Sequence, residues 1–236
     1  MVMRKSVAIL QSNYLPWKGY FDIVAAVDEF IFYDDVQYTK NDWRNRNRIK
    51  SQDGPKWITI PCGSNIKRLV NEVTIEDHRW QTNHWKQIYH CYRKAKHFDQ
   101  HSSFFEEVYV GRKWPNLSEL NQYLIQHISV EFLGLKTQFR DSREFTLSGT
   151  KGDRVLDLLR ATKASHYVSG PSAQEYFNEE IFSEHNIEVI WADYEDYSEY
   201  EQLFPPFVHS VSIIDLLFNA GPAARDFLKF TLSSDS

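Results

Sequence analysis

The first apolar run of the chain, Ser6 to Leu10, is short and uninterrupted, which is typical of a strand buried on both faces. After a polar segment, Tyr20 to Val27 has apolar residues spaced to bury one helix face, and Phe30 to Tyr33 is a second strand-like run. A helical crossover of this length joins parallel strands. The pattern therefore predicts a β-loop-α-β unit, in which ligand sites lie at the carboxyl ends of the strands.

A β-hairpin is predicted further along the chain. Residues from Arg48 to Ser51 and from Lys56 to Ile60 flank Asp53-Gly54, and an Asp-Gly pair between alternating runs is a strong hairpin signal. Val70 to Ile75 is a candidate for one more strand.

The pattern becomes helical between Trp80 and Gly134, where apolar residues recur at spacings of three and four. The predicted helices are Trp80 to Lys96, Phe98 to Tyr109 and Leu117 to Leu133. We interpret residues 80–136 as a helical insertion, which follows an N-terminal part, residues 1–79, made of the β-loop-α-β unit and the hairpin.

Strands and helices alternate again in residues 137–236, which we expect to complete the same core. The predicted strands are Thr137 to Phe145, His166 to Val168 and Ile187 to Trp191, and the predicted helices are Asp153 to Lys163, Ala173 to Phe177 and Val211 to Phe218. The fold class predicted for the whole chain is therefore α/β, a Rossmann-like parallel-sheet core with a β-hairpin and a helical insertion.

Composition adds one unusual feature to this picture, the number of aromatic residues. The 236 residues include 7 Trp, 13 Tyr and 16 Phe against 2 Met, with 9 Gly and 8 Pro. The low Gly and Pro content and the many apolar residues exclude a disordered chain. The aromatic residues exceed what filling the core requires, so we expect some of them to be exposed in a groove.

Charge and cysteine content exclude several other classes of protein. A formal net charge of −5 disfavours attraction of the whole surface to nucleic acid or anionic membrane. Cys62 and Cys91 lie far apart and have no Cys/His ligand spacing, which disfavours a disulfide scaffold and a metal site. The chain has no signal-peptide pattern and no apolar run long enough to span a membrane, so a cytoplasmic location is expected.

The segment from Gln11 to Tyr20 is the first candidate site, because it joins a buried strand to a helix N-terminus, which attracts anions. Its candidate binding residues are Gln11, Asn13, Tyr14, Trp17, Lys18 and Tyr20. The layout resembles the phosphate loop of nucleotidylyltransferases, but their H-x-G-H signature is replaced here by Trp17-Lys18-Gly19-Tyr20. The alternative is a buried connection whose aromatic rings cover the sheet.

Two adjacent carboxylates, Asp34 and Asp35, follow the second predicted strand. Successive residues of an extended chain point to opposite sides, so we expect one of them to face the cleft. That carboxylate would act as a general base or hold Mg²⁺, and the alternative is a pair of turn aspartates without chemistry. Gln37 and Tyr38 follow as candidate binding residues.

A basic strip runs from Lys40 to Lys50, with five basic residues and one acidic residue among eleven. Its candidate binding residues are Lys40, Trp43, Arg44, Asn45 and Arg46. Arginine forks suit phosphate or carboxylate, and the same composition suits single-stranded RNA. The alternative is a solvated hairpin edge protected by charge. Ser169-Gly170, between a strand and a helix, is a further candidate ligand loop.

Four sequence blocks resemble the WbqC-like proteins of bacteria. The first two are Gln11-x-Asn13-Tyr14-Leu15-Pro16-Trp17-x-Gly19-Tyr20-Phe21, and Asp34-Asp35-Val36-Gln37-Tyr38 with Trp43 to Lys50. The others are Tyr167-x-Ser169-Gly170, and Ser212 to Phe218 with Asn219-x-Gly221-Pro222. Ser12 replaces the proline that usually follows the first glutamine. The resemblance implies a role in surface polysaccharide or O-antigen synthesis by acyl or aminoacyl transfer, for example of glycine, and it supplies no catalytic residue set.

The leading hypothesis from residues and resemblance is an enzyme that acylates the amine of a nucleotide-linked amino sugar. Asp34 or Asp35 takes the ammonium proton, and Arg44 and Arg46 hold phosphate. Trp17, Tyr38 and Trp43 stack on a base or sugar, while the Gln11 segment and Ser169-Gly170 frame the pocket. The acyl donor is left open among aminoacyl-tRNA, acyl-CoA and ATP with an amino acid, as is the oligomeric state.

Two alternatives remain at this point. One is an ATP-dependent ligase or nucleotidylyl-transfer enzyme on a Rossmann-like core. The other is a noncatalytic protein that binds a nucleotide sugar or charged tRNA through the basic strip.

Overall fold

The structure of the protein is a computed structural model, and it describes residues 4–149, 152–176 and 179–229. The strands of this part are β1 Ser6–Leu10, β2 Glu29–Phe32, β3 Arg46–Ser51, β4 Gly54–Thr59, β5 Gln138–Asp141, β6 His166–Ser169 and β7 Glu188–Trp191. Five of them form a parallel sheet in the order β5-β2-β1-β6-β7, and β3 pairs with β4 separately. The predicted α/β class with a parallel sheet and a separate hairpin is confirmed.

The central strand β1 is apolar from Val7 to Leu10 because both faces of the sheet are covered. Ala8 belongs to the larger core, together with α1, the helices between the hairpin and β5, and the last helix. Val7 and Ile9 point to a smaller core on the opposite face. This arrangement explains why the first strand reads as an apolar run without alternation.

Seven α-helices lie in the described residues. They are α1 Lys18–Ala25, α2 Arg79–Tyr92, α3 Phe98–Glu106, α4 Leu117–His127, α5 Gly152–Ala161, α6 Glu179–Ser183 and α7 Ile213–Ala220. Helices α3 and α4 continue into π-helical turns, Glu107–Gly111 and Ile128–Phe132. None of the described helices combines the length and the apolar character that crossing a bilayer requires.

The hairpin turn has the geometry that the Asp-Gly signal predicts. Ser51 and Gly54 are partners in the antiparallel ladder, and Gly54 has a φ of +103°, which favours glycine. The ladder begins two residues earlier than predicted, at Arg46.

The strand predicted at Val70 to Ile75 is wrong. Val70–Glu72 forms a 3-10 turn, and the Glu72 carboxylate accepts a hydrogen bond of 2.8 Å from the backbone N–H of Leu69. The Ile75 N–H donates to the Pro115 carbonyl at 2.8 Å. The apolar side chains of this segment are buried by packing without a regular strand ladder.

The segment predicted as a helix at Ala173 to Phe177 also differs. Pro171–Tyr176 is a 3-10 helix, and Phe177 lies outside the described residues. The last predicted helix begins later than expected, at Ile213, because Ser212 is its N-cap and accepts a hydrogen bond from Ile214 N–H.

Most of the described aromatic rings pack in the core, so the expected exposed aromatic groove is smaller than composition suggests. The large aromatic side chains that are clearly exposed among the described residues are Trp43, Trp57 and Tyr89, at 45%, 43% and 47%. Many buried tyrosines instead bring a hydroxyl to a polar group inside the core.

One such cluster joins the hairpin to α7 around the buried carboxylate of Asp215. Tyr92 Oη and Tyr200 Oη donate to it at 3.0 and 2.7 Å, and Gln202 Nε2 donates at 2.9 Å. Burial raises the pKa of Asp215, although these hydrogen bonds oppose the rise. The buried Lys50 ammonium donates to Gln202 Oε1 at 3.0 Å. The cluster therefore joins the hairpin to the segment that contains Gln202 and to α7.

Replacing Asp215 with alanine is expected to lower the free energy of unfolding by about 3 kcal/mol, because three donors lose their acceptor inside the core and the buried Lys50 ammonium loses a nearby negative charge. Urea denaturation followed by circular dichroism measures the change. Asp226→Ala, at an exposed position near the same end of the chain, is the control and should change stability by less than about 0.5 kcal/mol. Equal effects of the two substitutions would contradict the assignment.

Candidate functional site

The carboxylate of Asp34, at the carboxyl end of β2, is fully buried and accepts hydrogen bonds from two other segments. The Ser12 N–H donates to Oδ1 at 2.7 Å. Ser118 Oγ and Gln122 Nε2, both on α4, donate to Oδ2, the latter at 3.0 Å. A substrate ammonium would have to displace one of these donors to reach Asp34.

Asp35 points to the other face of the sheet, as the alternation of an extended chain predicts. Its carboxylate pairs with Arg154 of α5 and accepts a hydrogen bond from Ser142 Oγ. Arg154 Nε also donates to Tyr33 Oη at 3.0 Å. The Asp35 side chain is 16% exposed, so it reaches solvent where Asp34 does not.

Gln122 links the ends of two strands. Its amide nitrogen donates at 3.0 Å both to Asp34 and to Asp141, the last residue of β5. Although burial opposes it, hydrogen bonds from Arg143 and Gln122 lower the pKa of Asp141. The three aspartates at this edge are therefore held by named donors, and the described residues contain no group of three or more acidic, His or Cys side chains arranged to hold a metal ion.

The β1 loop, residues 11–17, is fixed by the hairpin. Tyr14 N–H donates to the Trp43 carbonyl at 2.9 Å. The buried Asn47 side chain donates to the carbonyls of Tyr14 and Leu15 at 3.2 and 2.8 Å. Leu15 has a φ of +42°, a conformation that is costly for a branched side chain and that these contacts maintain.

The C-terminal segment closes the same region. Ser212 N–H donates to the Arg48 carbonyl at 2.8 Å, and Ile213 N–H donates to the Pro16 carbonyl at 2.9 Å. The three segments enclose a cavity of about 300 Å³, the β1-loop cavity. It is lined by Asn13, Pro16, Trp17, Trp43, Asn47, Arg48 and Ser210. Three of the predicted binding residues, Asn13, Trp17 and Trp43, therefore lie together.

Cations and indoles adjoin on the rim of this cavity. The rings of Trp43 and Trp57 lie 5.6 Å apart between centroids. The guanidinium carbons of Arg46 and Arg48 lie 4.3 and 5.6 Å from the Trp57 ring centroid. Arg48 Nη2 donates to Ser210 Oγ at 2.6 Å, and both residues line the cavity.

Two polar atoms of the lining have no partner among the described residues. They are Asn13 Oδ1 and Arg48 Nε, an acceptor and a charged donor. Buried polar atoms are normally hydrogen-bonded, so this pair suits a polar ligand.

Gly19 shapes the cavity through the Trp17 indole, which folds back over the first turn of α1. A Cβ at position 19 would overlap the indole ring. Trp17 also makes edge contacts with Tyr194 and Tyr197, with centroids at 5.0 and 5.6 Å. The indole is therefore held from both sides.

Tyr14 lies in the core and is not accessible to a ligand. Its hydroxyl donates to His84 Nδ1 at 2.8 Å and contacts Tyr109 Oη at 2.5 Å. His84 Nε2 faces the Thr59 carbonyl at 3.2 Å, which requires the proton on Nε2. Burial lowers the pKa of His84 to about 4, so the imidazole is neutral at pH 7.

Lys18 is also buried, and it is not part of the cavity lining. Its ammonium donates to the Ser198 carbonyl at 3.1 Å and lies 4.5 Å from the Tyr197 ring centroid. Burial lowers the pKa of Lys18 to about 8, while Asp22 and Glu199 oppose the shift.

The remaining predicted binding residues of the first two blocks lie outside the cavity lining. Tyr20 is buried, and its hydroxyl donates to the Gln11 carbonyl at 3.0 Å. Tyr38 is fully buried, so its ring is not available for stacking on a ligand. Gln37 is exposed and donates to the Ile66 carbonyl at 3.4 Å.

In the basic strip, some candidate residues are bonded within the protein and others are exposed. Arg44 forms an ion pair with Asp42 at 2.5 Å. Asn45 is buried and donates to the Ile60 carbonyl at 2.9 Å, while Lys40 is exposed. Arg48, which the predicted set omits, is the arginine that lines the cavity.

The Ser169-Gly170 turn follows β6, the strand next to β1. Ser169 is buried, and a Cβ at Gly170 would come within 3.3 Å of the Tyr194 hydroxyl. This turn does not line the β1-loop cavity.

The candidate binding residues predicted from the sequence do not include Asn47, Arg48 and Ser210, which line the cavity, or Trp57, which adjoins Trp43. The sequence does contain a signal for Asn47 and Arg48, because they directly follow the Trp-Arg-Asn-Arg block. No sequence signal connects Ser210, in a segment remote along the chain, with the hairpin.

Comparison with known proteins adds the family. A model described as the WbqC-like protein family matches residues 11–227, from the β1 loop to beyond α7. The chain belongs to the WbqC-like protein family. The matched region includes every residue that lines the β1-loop cavity.

A relative of this WbqC-like chain is the "Uncharacterized protein Rv1507c" of Mycobacterium tuberculosis (strain ATCC 25618 / H37Rv). It is 44% identical over 228 residues, which cover 96% of this chain and 98% of the relative. No solved structure matches the chain significantly.

The pKa of His84 predicts a pH-dependent stability. The imidazole titrates near 6.5 when unfolded and at about 4 when folded, so the unfolded state binds more protons between these values. The free energy of unfolding should therefore fall by about 3 kcal/mol as the pH decreases from 7 to 4. Urea titrations across this range measure the slope.

His84→Gln removes the titration and should flatten that slope. His90→Gln, at an exposed position on the same helix, is the matched control and should keep the wild-type slope. An unchanged slope in the His84 variant would exclude this histidine as its source.

Proposed function

We propose that this protein transfers an acyl or aminoacyl group, such as glycyl, to the amine of a nucleotide-linked amino sugar, in the synthesis of a bacterial surface polysaccharide. The observation that carries the proposal is the β1-loop cavity, which combines an arginine, two asparagines and two tryptophans. Guanidinium suits phosphate, side-chain amides suit sugar hydroxyls, and indoles suit the faces of sugars and bases.

The volume of the cavity matches one part of such a substrate and not the whole molecule. A volume of about 300 Å³ is at the small end of ligand pockets. It suits a sugar or a single nucleotide portion, and the exposed Trp43 and Trp57 rings extend the binding surface beyond it. We assign the phosphate contact to Arg48, with Arg46 beside it on the Trp57 ring.

The proposed reaction forms an amide. The sugar ammonium first gives one proton to a carboxylate, and the amine nitrogen attacks the acyl carbonyl carbon. A C–N bond forms, and the bond from that carbon to the donor oxygen or sulfur breaks. The second N–H proton passes to the departing oxygen or sulfur.

Asp34 and Asp35 are the proposed proton acceptors at this edge of the sheet, and their contacts distinguish them. Asp34 is fully buried beneath its donors, whereas Asp35 is partly exposed beside Arg154. We therefore favour Asp35 as the group that meets substrate and Asp34 as a positioning residue. Neither lines the β1-loop cavity, and Asp35 lies against Arg154 of α5 on the other face of the sheet, so the amine must extend from the cavity past the end of β2 to reach it.

A second candidate function is noncatalytic binding of a nucleotide sugar. The observation that favours it is the cavity lining, in which the described residues include no carboxylate, histidine, cysteine or lysine. A protein that only presents the nucleotide sugar to another enzyme requires the same arginine and indole contacts and no proton acceptor.

Replacing Arg48 with methionine should raise the dissociation constant for UDP- or dTDP-linked sugars by about tenfold or more, because a charge-assisted hydrogen bond to phosphate is lost. Isothermal titration calorimetry measures it. Arg160→Met, at an exposed position on α5, is the control and should bind as the wild type does. Unchanged affinity in the Arg48 variant would remove this cavity from nucleotide-sugar binding.

Activity is tested with a nucleotide-linked 4-amino deoxysugar and three donors: glycyl-tRNA, acetyl-CoA, and ATP with glycine. Mass spectrometry should detect the amide product with one donor, and Asp35→Asn should reduce its rate about 100-fold or more while the melting temperature stays near wild type. Release of AMP or diphosphate would indicate the ligase mechanism. Full activity of the Asp34→Asn, Asp35→Asn double variant would exclude both carboxylates, and sugar binding without product would favour the noncatalytic candidate.

A further inference from the structure

A larger cavity lies at the opposite edge of the parallel sheet. It has a volume of about 930 Å³, and we name it the amino-edge cavity. Its walls come from the amino ends of β1 and β5, the turn before β2 and the residues that follow α5. Ligand sites of Rossmann-like folds lie at the carboxyl edge, so this position has no role in the proposed reaction.

The lining of the amino-edge cavity is strongly basic. Among the described residues of the lining, the basic ones are Arg4, Lys5, Lys136, Lys163 and Arg225, and Asp28 is the single acidic one. The chain as a whole carries a formal net charge of −5, so this local reversal of sign is not a property of the general surface. Clustered cations in a concave site attract anions more strongly than dispersed ones.

Several of these charges are already engaged. Lys5 forms an ion pair with the buried Glu29 at 2.6 Å. Asp28 Oδ2 accepts hydrogen bonds of 2.8 Å from the N–H and hydroxyl of Ser6, which fixes the carboxylate against β1. Arg225 Nη1 donates to the Gly134 carbonyl at 3.3 Å.

Two ammonium groups remain available. In the described part of the chain, neither Lys136 nor Lys163 takes part in an ion pair, and both side chains are exposed. Lys163 has a φ of +56°, a left-handed conformation that usually selects glycine after a helix. A lysine at this position places a charge at the cavity in spite of the backbone cost.

Attraction of cations to helix C-termini does not by itself explain the composition of the cavity lining. The C-termini of α1 and α5 face this edge, and their partial negative charges attract cations. At the end of α1, Thr137 Oγ1 already donates to the Val24 carbonyl at 2.7 Å. The apolar side chains of Ala25, Val27 and Leu135 form part of the wall, which a purely electrostatic role would not need.

We propose that the amino-edge cavity binds a small polyanion with two or more phosphate groups and a compact organic part, such as a nucleoside triphosphate. The cations hold the phosphates, and the apolar wall contacts the organic part. Strands of four or five residues separate the two edges by about 15 Å, so this ligand regulates the protein and does not react at the β1-loop cavity. The proposal does not rest on the transfer reaction.

The test is binding to the intact protein at fixed ionic strength, by thermal shift and calorimetry, with ATP, inorganic tripolyphosphate, AMP and sulfate. ATP should raise the melting temperature in a saturable manner, since a ligand that binds the folded state stabilises it. The Lys136→Met, Lys163→Met double variant should weaken ATP binding about tenfold or more. AMP and sulfate should bind at least about tenfold more weakly than ATP.

A control variant separates this site from other surface cations. Lys113→Met, at an exposed position before α4, should bind ATP as the wild type does. The proposal is overturned if ATP binding is unchanged in the double variant or if sulfate binds as tightly as ATP. Tripolyphosphate equal to ATP would show that phosphate alone is recognised and would overturn the assigned organic part.

Discussion

The buried carboxylate of Asp34 is the constraint on which the carboxyl edge of the sheet depends. Through Ser12 it fixes the chain leaving β1, and through the side chains of Ser118 and Gln122 it fixes α4 across that edge. Gln122 then extends the network to Asp141 at the end of β5. A buried charge is tolerated only when it is fully hydrogen-bonded, so these segments must meet in one arrangement. The position of the β1 loop, and with it the cavity, follows from that requirement.

Local signals predicted most of the architecture. The apolar run of β1 and the Asp-Gly pair at the hairpin turn are signals carried by a few consecutive residues, and both predictions are confirmed. Val70 to Ile75 has strand composition, but its backbone bonds to the segment before α4 and not to a sheet. No local pattern distinguishes these two ways of burying the same apolar side chains.

Part of the cavity lining was predictable, because those residues lie in the segments that follow the first two strands. Trp17 and Trp43 line the cavity, whereas the hydroxyls of Tyr14 and Tyr20 are used inside the protein. Part of the aromatic excess therefore consists of tyrosines that donate to buried polar groups, as at Asp215. Composition cannot separate a ring that stacks on a ligand from one whose hydroxyl serves the core, because both need an aromatic face and a polar group.

Gly19 shows how a missing side chain defines a binding surface. The Trp17 indole occupies the space where any larger residue at position 19 would place its Cβ, and Tyr194 and Tyr197 cover the other side of the ring. Because Gly19 has no side chain, the Trp17 indole can lie over the first turn of α1 and form a wall of the β1-loop cavity. A larger residue at position 19 would displace the indole and change the shape of the cavity. Variation in ligand preference can therefore arise at a position that does not itself line the cavity.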